Sequence, residues 1–189
     1  MAKPIKVAAF CGSLRKASFN RMLLKQAIKL APDCMSFEEV EIAGLPLYNT
    51  DLHQAGFPAA AQQAIDRVAS ADALLFVTPE YNYSIPAPLK NAIDWISRAP
   101  NQPFAGKPAT MMGASMGLLG TVRAQSHLRL SMVFLNMYPL NRPEVMIAQA
   151  QNKFDAAGHL TDEAAKGLIR DLLAAFAAWT RKLRGDQAG

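Results

Sequence analysis

The chain has 189 residues, 51% hydrophobic and 19% charged, with a net charge of +5. That composition supplies one domain with a sizeable core and excludes a disordered chain. The cationic excess suits an anionic ligand such as a nucleotide. Nucleic-acid binding is disfavoured, because the basic residues are scattered and their one block, Arg181-Lys182-Leu183-Arg184, ends a helical pattern where the dipole favours cations.

A first strand is expected at Ile5–Phe10 and a helix from Arg21 onward, with Met22, Leu23, Ala27, Ile28 and Leu30 apolar. Between them, Cys11 to Arg21 offer Gly12, the hydroxyls of Ser13 and Ser18, the Asn20 amide and the cations Arg15, Lys16 and Arg21. A loop between a strand end and a helix N-terminus gathers backbone N–H groups and the positive end of the dipole at one spot. Hydroxyl and guanidinium donors there suit a phosphate monoester better than a pyrophosphate. The same residues would also make an ordinary turn with Ser18 as an N-cap.

Ser36–Ile42 mixes apolar and acidic residues as an edge strand would, and Gly44–Gly56 is a turn-rich loop. Pro58–Ser70 reads as a helix with Ala61, Ala64, Ile65 and Val68 on one face, and Ala73–Val77 as a strand. The segment Thr78 to Trp95 follows, leading into a helix over Ala87–Ser97. Pro79, Pro86 and Pro88 stiffen it, and Pro88 suits a helix's first turn. Tyr81, Asn82 and Tyr83 in a rigid loop make a flat, polar-edged wall suited to an aromatic ring system; such loops also cap cores or form protein interfaces.

Asn101–Lys107 is a loop and Pro108–Ala114 a strand, after which Gly113, Gly117, Gly120 and Ser115 permit close backbone approach to a ligand or make a tight turn. Arg123–Leu135 reads as a helix and Glu144–Ala148 as a short strand. In Asp162–Leu183 the residues Leu168, Ile169, Leu172, Leu173, Phe176, Trp179 and Leu183 form a docking stripe after a capping Thr161-Asp162-Glu163 start. Five strands alternating with helices imply a doubly wound α/β sheet over residues 1–189, helices on both faces. In the flavodoxin-like order 2-1-3-4-5, ligands bind where strands one and three diverge, and both suspicious loops follow those strands.

Cys11 and Cys34 lack CxxC spacing, which argues against a disulfide framework, a redox pair or zinc, and Cys11 reads as a small packing residue. His53, His127 and His159 have no metal-ligand spacing, so no metal is expected. Met1–Cys11 does not read as a signal peptide, its apolar run ending at Gly12, and no stretch approaches a membrane span; the default expectation is cytoplasmic, with no membrane association.

Gly12-Ser13-Leu14-Arg15-Lys16 with Ser18 and Asn20, and Pro79-Glu80-Tyr81-Asn82-Tyr83-Ser84-Ile85-Pro86 continuing to Leu89-Lys90-Asn91-Ala92-Ile93-Asp94-Trp95, resemble the NADPH-dependent FMN reductase family. These are the flavodoxin-like quinone, azo-dye and chromate reductases, and the resemblance covers almost the whole chain. It implies bound FMN, its phosphate on Ser13, Arg15, Ser18 and Asn20. Pro79, Glu80, Tyr81, Asn82 and Tyr83 would face the ring, and Ser115 the ribityl or pyrimidine edge. It further implies hydride passing from NADPH or NADH through flavin N5 to a small-molecule acceptor (a quinone, azo compound, free flavin or metal oxyanion such as chromate) by ping-pong turnover. The flavin carries the chemistry, so no catalytic side chain is expected.

The resemblance also implies a homodimer or homotetramer with the flavin near a subunit boundary. Aromatic and apolar residues of Tyr81–Ser84 and Met116–Leu119 would lie there, and Arg123 and Glu144 would pair across a second contact. A rival is a flavodoxin-like FMN electron carrier or flavin-binding protein without NAD(P)H turnover, although flavodoxins tend to be acidic and this chain is basic. A nucleotide-binding α/β protein without flavin would want a P-loop Gly-Lys-Ser/Thr, which the sequence lacks.

Overall fold

The computed structural model describes residues 3–186, and a parallel sheet organises it. In chain order the elements are β1 (Ile5–Cys11), α1 (Phe19–Leu30), β2 (Met35–Glu39), α2 (Thr50–Gln54), α3 (Ala59–Ser70), β3 (Ala73–Val77) and α4 (Ala87–Ile96). Then come β4 (Pro108–Ala114), α5 (Val122–Phe134), β5 (Tyr138–Pro139), β6 (Val145–Ile147) and α6 (Glu163–Arg184). The strands run in the order β2-β1-β3-β4-β5, with β6 also beside β4. This is the flavodoxin-like order expected from the family resemblance, on the doubly wound sheet that the alternation of elements implied.

Strands covered on both faces read as nearly continuous apolar runs, and all five residues of β3 are buried. Successive side chains point to opposite faces, so the core divides in two. Ile5, Val7, Ala9, Leu75 and Val77 meet α1 and α6 through Leu23, Ala27, Ile169, Leu172 and Phe176. Ala8, Phe10, Leu74 and Phe76 meet α3, α4 and α5 through Val68, Leu89, Ile93, Leu128 and Met132. Phe10 and Phe76 stack with ring centroids 4.7 Å apart, filling the centre of that second layer.

Four details depart from expectation. The second strand is Met35–Glu39, ending before Ile42; Val40 and Ile42 are buried nonetheless, and Val40 N–H still donates to Ala9 O. The turn-rich loop after it contains the short helix α2, capped by Asn49. The fifth strand position is filled by two short strands, with Tyr138 and Pro139 registering on Pro108 and Ala109 and Val145–Ile147 on Met112–Ala114. In α6 the docking stripe is narrower than its pattern, since Leu168 and Leu183 face solvent. No helix of the described residues is long and apolar enough to cross a membrane.

Candidate active site

β1 and β3 pair in register as far as Cys11 and Val77, so the loops that follow them leave the sheet side by side. Gly12 N–H donates to Val77 O at 2.8 Å, and Thr78 N–H to Met112 O at 3.0 Å, which carries the contact on to β4. The three segments are packed so closely that one position excludes any side chain and a second leaves little room for one. A Cβ on Gly113 would lie 2.1 Å from Thr121 Oγ1 and 2.3 Å from the Thr78 carbonyl oxygen. A Cβ on Gly12 would press on Thr78, Pro79 and Pro86 at 3.1–3.2 Å. The loops after β1, β3 and β4 therefore form one contiguous surface at the carboxyl edge, where β1 and β3 diverge.

On the β1 side, Ser18 is the N-cap of α1, its Oγ accepting from Asn20 N–H and Arg21 N–H. With both lone pairs occupied, that hydroxyl keeps one proton to donate. Ser13 and Ser18 are each 4% exposed, while Arg15 and Lys16 stand in solvent. Arg21 is drawn away from the loop by an ion pair with Glu39. Two hydroxyls, the α1 N-terminus and the Arg15 and Lys16 cations remain, a donor set that suits the phosphate of FMN.

Asn20 is placed differently from Ser13, Ser18 and Arg15. Its side chain is 3% exposed; Nδ2 donates to Ala114 O and Oδ1 accepts from Ala114 N–H, both at 2.9 Å. It clamps the first turn of α1 to the end of β4. Cys11 is also structural: burial pushes its thiol above the ordinary range, and its S–H points at Ser13 O.

On the β3 side, Tyr81 and Ser84 exchange backbone hydrogen bonds of 3.1 and 3.0 Å around a two-residue turn. Asn82 and Tyr83 sit at φ +49° and +66°, as a type I′ turn requires. Asparagine tolerates that region; a tyrosine there costs about 1–2 kcal/mol. Tyr81 and Tyr83 are exposed, and Pro79 is buried at the loop's base. Glu80 turns its carboxylate toward α5, where Oε2 accepts from Arg123 N–H at 2.9 Å and Ala124 N–H at 3.1 Å. The reason lies in α5 itself: Thr121 makes no side-chain cap, so Glu80 satisfies orphan donors of its first turn. Of Glu80, the backbone is left to face a ligand.

Ser115 lies on the β4 loop, its hydroxyl donating to Gly120 O at 2.7 Å and closing that loop. It can accept a hydrogen bond but has no proton to offer. Asn91 and Trp95 of the second motif strap the β2–α3 loop: both donate to Pro46 O, at 2.8 and 2.7 Å, and Asn91 Oδ1 accepts from Tyr48 N–H. Thr78 and Arg123 belong to the site's frame without having been singled out for it from sequence, whereas Gly113 stands where its glycine was expected to permit close approach. The charges expected to pair across a contact each have a partner within the chain, Arg123 with Glu80 at 3.3 Å and Glu144 with Arg129 at 3.6 Å. Among the described residues no cluster of three or more His, Cys, Asp or Glu is placed to hold a metal.

The family model for NADPH-dependent FMN reductase matches residues 5–152. An NAD(P)H-dependent FMN reductase of Pseudomonas aeruginosa is 55% identical over 185 residues, 98% of this chain and all of that one. A quinone reductase of Escherichia coli is 42% identical over 187 residues, 97% of this chain and all of that one. Among solved structures, the NAD(P)H:(acceptor) oxidoreductase FerB of Paracoccus denitrificans is similar with a TM-score of 0.86 and 38% identity, covering 94% of this chain and 98% of the other.

Proposed function

The chain belongs to the NADPH-dependent FMN reductase family and is an NAD(P)H-dependent oxidoreductase with FMN as its cofactor; from that premise we propose that its acceptors are quinones first, with azo compounds, free flavin and metal oxyanions such as chromate as further substrates. The observation that carries this reading is the convergence of the Gly12, Thr78–Tyr83 and Gly113–Gly120 segments at one sheet edge, with Ser13, Ser18 and Arg15 at one end and an aromatic hairpin at the other. When bound, FMN supplies the redox chemistry between a hydride donor and an electron acceptor. The similarity to a bacterial quinone reductase supports quinones as the leading class.

The residues divide the work. Ser13, Ser18 and Arg15 donate to the phosphate, with Asn20 holding the cradle's shape from behind. Pro79–Tyr83 would wall the ring, with the backbone N–H groups of Glu80, Asn82 and Tyr83 available to negative charge on its edge. Gly113 and Ser115 let the β4 loop approach closely, and Ser115 accepts from a hydroxyl of the ligand. No side chain acts as acid or base.

A flavin ring seated against the 79–83 wall would leave one face open, so donor and acceptor would take turns. Initial rates against NADPH and benzoquinone are expected to give parallel double-reciprocal lines, with excess quinone competing against NADPH. Intersecting lines would remove the shared face. Flavin binding without NAD(P)H turnover would favour an electron carrier instead. We place the enzyme in the cytoplasm and propose a homodimer or homotetramer, an assembly supported by the exposed Tyr81, Tyr83, Met116, Leu118 and Leu119 side chains around the site.

A further inference from the structure

The hairpin after β3 is fastened to α5 before, at and beyond its tip. Before it, the Glu80 carboxylate holds the first turn of α5 and pairs with the Arg123 guanidinium at 3.3 Å. At the tip, the Arg123 guanidinium carbon lies 3.7 Å from the centroid of the Tyr83 ring, close enough for face-to-face stacking. Beyond it, Ser84 Oγ lies 2.9 Å from His127 Nδ1, one turn further along the helix. Tyr83 is the residue that the turn holds at φ +66°, where a bulky side chain is disfavoured unless its surroundings over-determine it.

We propose that Glu80, Arg123 and Tyr83 form one positioning unit, in which a guanidinium on α5 locks the 81–84 turn in the conformation that receives the flavin ring. The inference rests on the FMN reading above and adds Arg123, which lies outside both sequence motifs. Three observations join in it. The strained residue is the one that Arg123 covers, so the stack and the strain sit at the same place. The arginine lies over the Tyr83 ring and pairs with Glu80 at once, and a planar, multi-donor guanidinium suits that double contact better than a lysine ammonium. Finally, α5 continues directly from the β4 loop, so the unit ties the two walls of the site into one frame and fixes the gap between them.

The test compares FMN dissociation constants, read by flavin fluorescence, and Tm values for the full-length wild type, Tyr83→Gly and Arg123→Lys. Tyr83→Gly removes the stack while relieving the positive φ, so FMN should weaken at least fivefold with no loss of Tm. Arg123→Lys keeps the charge and loses the planar contact, and should also weaken FMN at least fivefold. Binding within twofold of wild type in both Tyr83→Gly and Arg123→Lys would overturn the proposal. So would an affinity loss that appears only where Tm falls with it, which would assign these residues to folding alone. A wild type with no affinity for FMN would overturn the flavin reading itself, and this unit with it.

Discussion

Asn20 and Ala114, 94 positions apart, exchange two hydrogen bonds of 2.9 Å, the carboxamide of one closing on the backbone N–H and C=O of the other. The pair stands at the junction of the phosphate-side loop and the β4 loop. Replacing Asn20 with alanine would leave the buried Ala114 N–H and C=O without partners, each costing about 1–3 kcal/mol. Some relaxation is expected, so Asn20→Ala should lose about 2–4 kcal/mol, or roughly 5–15 °C in Tm for a chain of this size. Calorimetry checks it; an unchanged Tm would show that the clamp carries no stability.

Arg15 is the exposed guanidinium of the phosphate loop, free of the ion pair that occupies Arg21. A hydrogen bond to a charged group contributes about 1.5–3 kcal/mol, so Arg15→Ala should weaken FMN by about ten- to a hundredfold. Riboflavin, lacking the phosphate, should bind wild type poorly and ignore the mutation. Fluorescence titration with both ligands checks this, and equal losses would remove the phosphate assignment.

The two thiols should behave differently. Cys11 is buried and its thiol is pushed up by that burial, whereas Cys34 is partly exposed. A thiol-exchange reagent at pH 7–8 is expected to titrate one thiol in the folded protein and two after denaturation. Because the folded state keeps the Cys11 proton that the unfolded state loses, this residue's contribution is present below about pH 8.5 and declines as pH rises above it. Fast reaction of both thiols in the folded protein would contradict the assignment.

Leu130, Val133 and Phe134 stand in solvent on α5, with Phe134 83% exposed. Leu130 and Phe134 border a groove of about 390 Å³ between α4 and α5, floored by Ile93 and Leu135. Large exposed apolar patches commonly mark interfaces, and the proposed oligomer would cover this one. Light scattering should give a mass of two or four chains for the wild type, falling toward one chain in a Leu130→Asp, Phe134→Asp double variant. A wild-type monomer that turns over normally would end the oligomer reading.

Much of this was legible in the sequence because its causes are local. Ser18 caps α1, Asp162 caps α6, and β1 and β3 read as buried strands from their apolar runs. What escaped was set by partners distant in sequence. Glu80 reaches 43 positions to Arg123, so neither residue betrays that the acid caps a helix instead of facing the ring. Asn20 carries the same amide whether it holds a phosphate or a strand, and only its burial against Ala114 separates the two. β5 is two residues long, too short to leave a pattern.

The most direct measurement is an anaerobic absorbance titration of the FMN-loaded protein, first with NADPH and then with benzoquinone. The expected result is one FMN per chain, its visible band bleached by one equivalent of NADPH and restored by one equivalent of quinone. A protein that takes up no FMN, or whose bound flavin neither NADPH nor NADH bleaches, would contradict the assignment of this chain as an NAD(P)H-dependent flavin reductase.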